Sequence, residues 1–285
     1  MYLNFNAGVL KLGDVPFAQQ CALAAANGFK GIDLPAIQGG SAADIKEAGR
    51  ILADHGLVGG AFPLPHNIDA DEVNFEEAVG YLEVFGPRLV EAGWARTYNW
   101  VLNGSNARTQ DAQMVWMAER LQQLTAAAAK AGIDYGFEFI GPKTLQSKFT
   151  HPFIDDLAGA KKLIEAAGGG VGILLDSFHW YCSGGTLETL RHELEGIHIT
   201  YVHVNDARAD RTPQEQIDGE RALPLETGVI DTPGMLKVLA EIGYEGPVTT
   251  EPFQPTANRL SALEPAAAFA EVGQVMRKLM DTAGL

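Results

Sequence analysis

Val171-Gly172-Ile173-Leu174-Leu175-Asp176 is an apolar run that ends on a carboxylate, and its surroundings decide how the rest of the chain is read. A run this short, apolar at every position but the last, suits a strand covered on both faces in a parallel sheet. Gly168-Gly169-Gly170 stand directly before it, after a helix-length stretch over 153–167. Helix, glycine stop and buried strand in that order make half of a βα repeat.

Working outward, the same alternation runs the length of the chain. The patterning predicts strands over 3–9, 31–35, 58–64, 94–102, 133–140, 171–176, 197–204 and 247–251, with helices over 17–26, 42–55, 75–92, 111–131, 153–167, 187–194, 232–242 and 265–283. A glycine closes seven of the helical stretches, at Gly28, Gly56, Gly93, Gly132, Gly168, Gly196 and Gly243, where a left-handed residue ends a helix. Eight βα units in 285 residues average about 36 residues each, which fits a (β/α)8 TIM barrel of parallel strands and outer helices. The barrel is expected to be a single domain over 1–285. A doubly wound sheet is disfavoured because Asn6-Ala7-Gly8-Val9, after the first strand, lacks the GxGxxG spacing of a phosphate loop.

Active sites of such barrels are built where the strands end at their C-terminal edge. Four predicted strands carry an ionisable group at or near that end: Glu138, Asp176, His203 and Glu251. They belong to the last four strands, which are neighbours around the wall. Three carboxylates and one imidazole suit one divalent cation, with Mn2+ ahead of Mg2+, Co2+ or Zn2+, because a structural zinc site would favour thiolates. Such a cation leaves coordination positions for vicinal oxygens of a polyhydroxylated substrate, and polarising its carbonyl acidifies the adjacent C–H. Glu138 and Glu251 are then the candidate proton-transfer pair. His179, three residues after Asp176, and Arg208, five after His203, are candidate substrate contacts. His66 and Asn103 are candidate pocket-wall residues, His66 with a substrate-binding role.

Composition removes several partner classes. Thirty-six acidic against 21 basic residues give a net charge of −15, which repels nucleic-acid phosphates and anionic membranes, and no basic patch offsets it. Small polyhydroxylated substrates are the expected partners, and a homo-oligomer is compatible with the sequence. Cys21 and Cys182 form neither a disulfide framework nor a CxxC pair. With no leader-like N-terminus and no run of eighteen apolar residues, a cytoplasmic location is expected.

The motifs Gly136-Phe137-Glu138-Phe139, Leu175-Asp176-Ser177-Phe178-His179, Tyr201-Val202-His203-Val204-Asn205-Asp206 and Thr249-Thr250-Glu251-Pro252 resemble the xylose-isomerase-like TIM-barrel superfamily of sugar isomerases and epimerases, with its tagatose-3-epimerase-like and inosose-isomerase-like members. The segment running from Arg221 to Asp231 is similar to that family's Arg-x-x-Pro-Gly-Glu-Gly-x-Ile-Asp, with Leu225 and Thr227 where glycines are common. The resemblance implies a metal held by Glu138, Asp176, His203 and Glu251, proton transfer by Glu138 and Glu251 through an ene-diolate, and substrate contacts from His179 and Arg208.

Rival functions are a metal-dependent lyase that dehydrates a keto-cyclitol or keto-sugar, and a non-catalytic sugar-binding barrel. Endonuclease IV shares the Asp-x-x-His element, but its Asp-x-His pair has no counterpart after His203, and the negative charge of this chain disfavours DNA.

Overall fold

In the computed structural model, which describes residues 1–35, 41–65, 67–69 and 71–285, the apolar runs become strands: β1 (Tyr2–Phe5), β2 (Gly31–Ile32), β3 (Val58–Gly59), β4 (Phe62–Pro63), β5 (Arg96–Val101), β6 (Gly104–Ser105), β7 (Asp134–Phe139), β8 (His151–Pro152), β9 (Gly172–Asp176), β10 (Ile199–Val204) and β11 (Pro247–Thr250). Nine of them form one sheet in the order β3-β2-β1-β11-β10-β9-β7-β5-β4. Every pairing in that sheet is parallel.

The two outermost strands of that order, β3 and β4, are halves of one run divided only by Gly60-Ala61. The first half pairs with β2 and the second with β5. One stretch of chain therefore borders both edges, and the sheet closes as the expected (β/α)8 barrel.

The strand expected over 58–64 is broken in the middle for a local reason. Ala61 N–H donates to the Asp33 carboxylate at 2.7 Å instead of to a ladder carbonyl. A Cβ at Gly60 would overlap Asn4 Oδ1 and Asp33 Oδ1, so only glycine lets the chain pass there. The short antiparallel ribbon of β6 and β8 has too few residues to show a period and is not legible from the sequence.

The helices pack outside the barrel, and their starts follow their caps. The helix expected from residue 75 begins at Glu72, because Asp71 accepts from Asn74 N–H at 2.9 Å. The one expected from residue 153 begins at Leu157, because Asp156 accepts from Gly159 N–H at 2.7 Å. Both are ordinary N-caps. All seven predicted glycine stops have positive φ, from 66° to 108°. The last helix, Pro265–Ala283, packs back on the first strand, with Phe269 stacked on Phe5 at 3.9 Å between ring centroids.

Inside the barrel lies a small cluster of Ala61, Leu174 and Tyr201 with Tyr98 packed against it, separate from the main core between sheet and helices. It forms the floor on which the polar layer rests. Among the described residues no helix is long and apolar enough to cross a membrane.

Candidate active site

Parallel registry brings the strand-end residues within two residues of one level. His203 on β10 is the register partner of Asp176 at the end of β9 and of Thr249 on β11, and Glu138 on β7 is level with Leu174, two residues below Asp176. Glu251 is the first residue past β11 rather than its last, held there because its backbone N–H donates to Asn205 Oδ1 at 2.9 Å.

One donor atom from each of Glu138, Asp176, His203 and Glu251 lies within 4.8 Å of the others. His203 Nδ1 is 3.3 Å from Glu251 Oε2, 3.7 Å from Glu138 Oε1 and 3.8 Å from Asp176 Oδ2. Yet His203 Nδ1 and Glu138 Oε1 are both buried with no hydrogen-bond partner. Leaving a buried polar atom unpaired costs about 1–3 kcal/mol, so two such atoms aimed into one space fit a cation as their missing partner. Three carboxylates and an imidazole without a thiolate form a donor set for a divalent ion.

The electrostatics follow from this crowding. Burial, with the charges of Glu251 and Asp176 adding to it, pushes the Glu138 carboxyl up to about 8. Burial would raise Asp176 as well, but Arg221, His179 and His203 outweigh it and hold that carboxyl below its ordinary range. Burial and the neighbouring Arg221 pull His179 down to about 4, so its ring is neutral at pH 7. Burial alone would lower His203, but the charges of Glu251 and Glu138 raise it well above the usual imidazole value.

His179 lies in the short helix Ser177–Cys182 that follows β9 directly, with Asp176 as its N-cap through Phe178 N–H at 2.6 Å. Its Nδ1 accepts from Gly141 N–H at 3.2 Å. Its Nε2 lies 3.1 Å from Arg221 Nη2, which can only donate, and 3.6 Å from Glu138 Oε1, so both ring nitrogens face N–H donors.

Arg208 is not brought to this cluster. Its guanidinium is half exposed and makes a two-pronged pair with Asp210 at 3.0 Å. His66 lies outside the described residues. Asn103 is fully buried between β5 and β6 and donates to the Pro142 carbonyl at 3.1 Å.

The arginine that does enter the site is Arg221. Its Nη1 donates to Asp176 Oδ2 at 2.8 Å and to Glu251 Oε2 at 2.6 Å, and its Nη2 donates to Asp218 Oδ1 at 2.7 Å. The planar cation is stacked between Phe178 and Phe253, 4.8 and 4.4 Å from their ring centroids. Asn205 is the other residue that sequence reasoning passes over. Its Nδ2 donates to both Asp176 oxygens at 3.2 and 3.1 Å, tying β9 to the start of Glu251. Arg221 heads the Arg-x-x-Pro segment quoted above and Asn205 follows His203 by two, so each had a positional signal.

A cavity of about 710 Å3 lined by Ile45, Leu52, Val58, Arg88 and Gly93 includes none of these groups. The chemistry is in the polar layer at the strand ends.

Comparison with known proteins bears on the fold and the family. An inosose isomerase of Bacillus velezensis is 31% identical over 150 residues, covering 52% of this chain and 49% of the relative. The chain thus spans about half the length of the curated relatives it matches. A crystal structure of IolI protein with a bound zinc atom superposes with a TM-score of 0.76 at 20% identity, covering 100% of this chain and 98% of that one. D-psicose 3-epimerase of Clostridium cellulolyticum H10, crystallised with D-tagatose, gives 0.73 at 13% identity and covers 99% of both chains. These two structures share the fold. The family profile described as xylose isomerase-like TIM barrel matches residues 21–279, and the chain belongs to that family.

Proposed function

We propose that this protein is a divalent-metal-dependent isomerase or epimerase of a sugar, keto-sugar or keto-polyol, working by proton transfer through an ene-diolate. The observation that carries the reading is the pair of unpartnered buried atoms, Glu138 Oε1 and His203 Nδ1, inside a four-donor cluster at the barrel mouth. The similarity to inosose isomerases favours a keto-cyclitol as the substrate to try first.

A divalent cation held by Glu138, Asp176, His203 and Glu251, with Mn2+ our first choice and Mg2+, Co2+ or Zn2+ after it, would supply Lewis-acid polarisation of the substrate carbonyl. The remaining steps fall to the chain. Glu138 on β7 and Glu251 just past β11 come from the first and last of the four neighbouring strands that build the cluster, one to take the proton from the carbon beside the carbonyl and the other to return it. Arg221, whose N–H groups are taken by Asp176, Glu251, Asp218 and His179, holds the two carboxylates and the His179 ring in place and lends its positive charge to a site where negative charge develops on the substrate oxygens. The aromatic rings that stack on Arg221 exclude water on its flat faces and fix its direction.

The test is incubation of the Mn2+-loaded protein with inososes and ketohexoses in D2O, followed by NMR. Deuterium should enter one carbon next to the carbonyl, with a reversible change of isomer. Glu251→Gln should slow this by at least about a hundredfold with the fold intact. Irreversible loss of water with a conjugated, ultraviolet-absorbing product would make the enzyme a lyase instead, and no exchange with any of these compounds would end the proposal.

A further inference from the structure

His203 is fully buried, and its ring is held edge-on between two tyrosines, Tyr98 at 5.6 Å and 89° and Tyr201 at 5.4 Å and 90°. The two hydroxyls have different tasks. Tyr201 Oη is engaged by Asn4 Nδ2 at 2.7 Å, by the Asp33 carboxylate at 2.8 and 2.9 Å, and by Thr249 Oγ1 at 2.6 Å. It points into the barrel floor and has no capacity left for the imidazole. Tyr98 Oη lies 3.4 Å from His203 Nε2, and Tyr98 is the hydrogen-bond partner that this ring has among the described residues.

The far nitrogen decides which way that bond runs. Nδ1 has no acceptor in line, although three carboxylate oxygens surround it at 3.3 to 3.8 Å. With a cation in the place of a proton among those carboxylates, the ring is neutral and its one proton sits on Nε2, where the Tyr98 oxygen is the acceptor.

We propose that Tyr98 is the positioning residue of the centre: its hydroxyl oxygen accepts Nε2–H, fixes the tautomer and tilt of His203, and thereby presents the Nδ1 lone pair to the cation. The inference rests on reading the cluster as a divalent-cation site. It adds a residue from β5, the one long barrel strand of the site's half that supplies no donor to the cluster. The physical basis is general, since the partner of a ligating imidazole's other nitrogen sets its basicity and direction, and losing that partner typically weakens metal binding about 10- to 100-fold. Tyr201, locked from below by Asp33 and Asn4, acts as the rigid wall that keeps the ring from tipping away from Tyr98.

The experiment titrates Co2+ alone into the metal-stripped full-length protein, by calorimetry and by the visible cobalt spectrum, for wild type, Tyr98→Phe and His203→Ala. The wild type should take up one Co2+, His203→Ala should lose most of that affinity, and Tyr98→Phe should keep the stoichiometry with an affinity about 10- to 100-fold lower and an altered cobalt spectrum. A merely packing role would lower the melting temperature of Tyr98→Phe but leave its Co2+ affinity at the wild-type value, and that result would overturn the proposal while the metal centre stood. Should Tyr98→Phe not fold, 15N NMR of the Zn2+-loaded wild type decides: a proton on Nε2 of His203 supports the proposal, and a proton on Nδ1 overturns it. Failure of the wild type to bind Co2+, Mn2+ or Zn2+ would overturn both this role and the functional reading beneath it.

Discussion

Arg221 Nη1 donates to Asp176 Oδ2 at 2.8 Å across 45 residues of sequence, and both side chains are almost fully buried, with 2% and 0% exposure. This pair joins the long connection after β10 to the end of β9. It is also why Asp176 stays ionised in a place where burial opposes its charge. Removing the arginine leaves that charge without its main counterion. Arg221→Met should therefore destabilise the metal-stripped protein by about 3–5 kcal/mol, read as a lower urea midpoint. Arg221→Lys should recover part of the stability but little turnover, because an ammonium cannot span Asp176, Glu251 and Asp218 at once. Equal stability of Arg221→Met and wild type would show that the pair does not hold the loop.

Arg208 gives the opposite expectation. The sequence makes it a candidate substrate contact, yet its guanidinium is paired with Asp210 two residues away and is half exposed. Surface pairs of this kind contribute little. Arg208→Ala should leave kcat/KM within about twofold of wild type and the melting temperature nearly unchanged. A large loss of kcat/KM would return the substrate arginine to this position.

The contrast between these two arginines shows what sequence reading reaches. Glu138, Asp176, His203 and Glu251 were legible because each breaks an apolar run at a strand end, and parallel registry then converges them without further information. Arg221 was marked only by the Arg-x-x-Pro segment that it heads, since its place in the site depends on the fold of the connection from Asn205 to Thr232, where side-chain caps replace periodicity. There Asp206 accepts from the N–H groups of Thr227, Gly228, Val229 and Ile230, a turn no hydrophobic pattern reports. Leu225 takes a left-handed φ of 66° where the resembled motif has glycine, so the backbone course is kept although the residue differs. Tyr98 was hidden for another reason: it looks like any aromatic in a strand until the alternation of β5 is phased against β7.

Gly60 carries a prediction of its own. A Cβ there would meet Asn4 Oδ1 and Asp33 Oδ1, the groups that orient Tyr201. Gly60→Ala should cost at least about 1–3 kcal/mol by overpacking and should also disturb the floor beneath His203. The expected readout is a lower melting temperature together with weaker Co2+ binding. Unchanged values for both would mean that the barrel floor yields more easily than its hydrogen bonds suggest.

Asp33 makes stability depend on pH in a calculable direction. Burial raises its carboxyl from 3.8 to about 6, even though Ala61 N–H, Asn4 and Tyr201 donate or lend hydrogen bonds that pull it down. Below pH 3.8 the group is protonated in both folded and unfolded chains and contributes nothing to the difference. Between 3.8 and about 6 the folded chain holds a proton that the unfolded chain has released, so stability falls as pH rises. Above that window the loss is complete, at about 3 kcal/mol for a shift of roughly two units. Asp33→Asn carries no such charge. Urea unfolding of the chelated protein at intervals from pH 4 to 8 should therefore give a wild-type curve that declines relative to the variant by about one proton's worth between pH 4 and 6, and runs parallel to it above. Since other groups titrate in the same range in both proteins, the difference between the curves isolates Asp33. Parallel curves throughout would show that its carboxyl ionises normally and that the polar floor is wetter than its contacts imply.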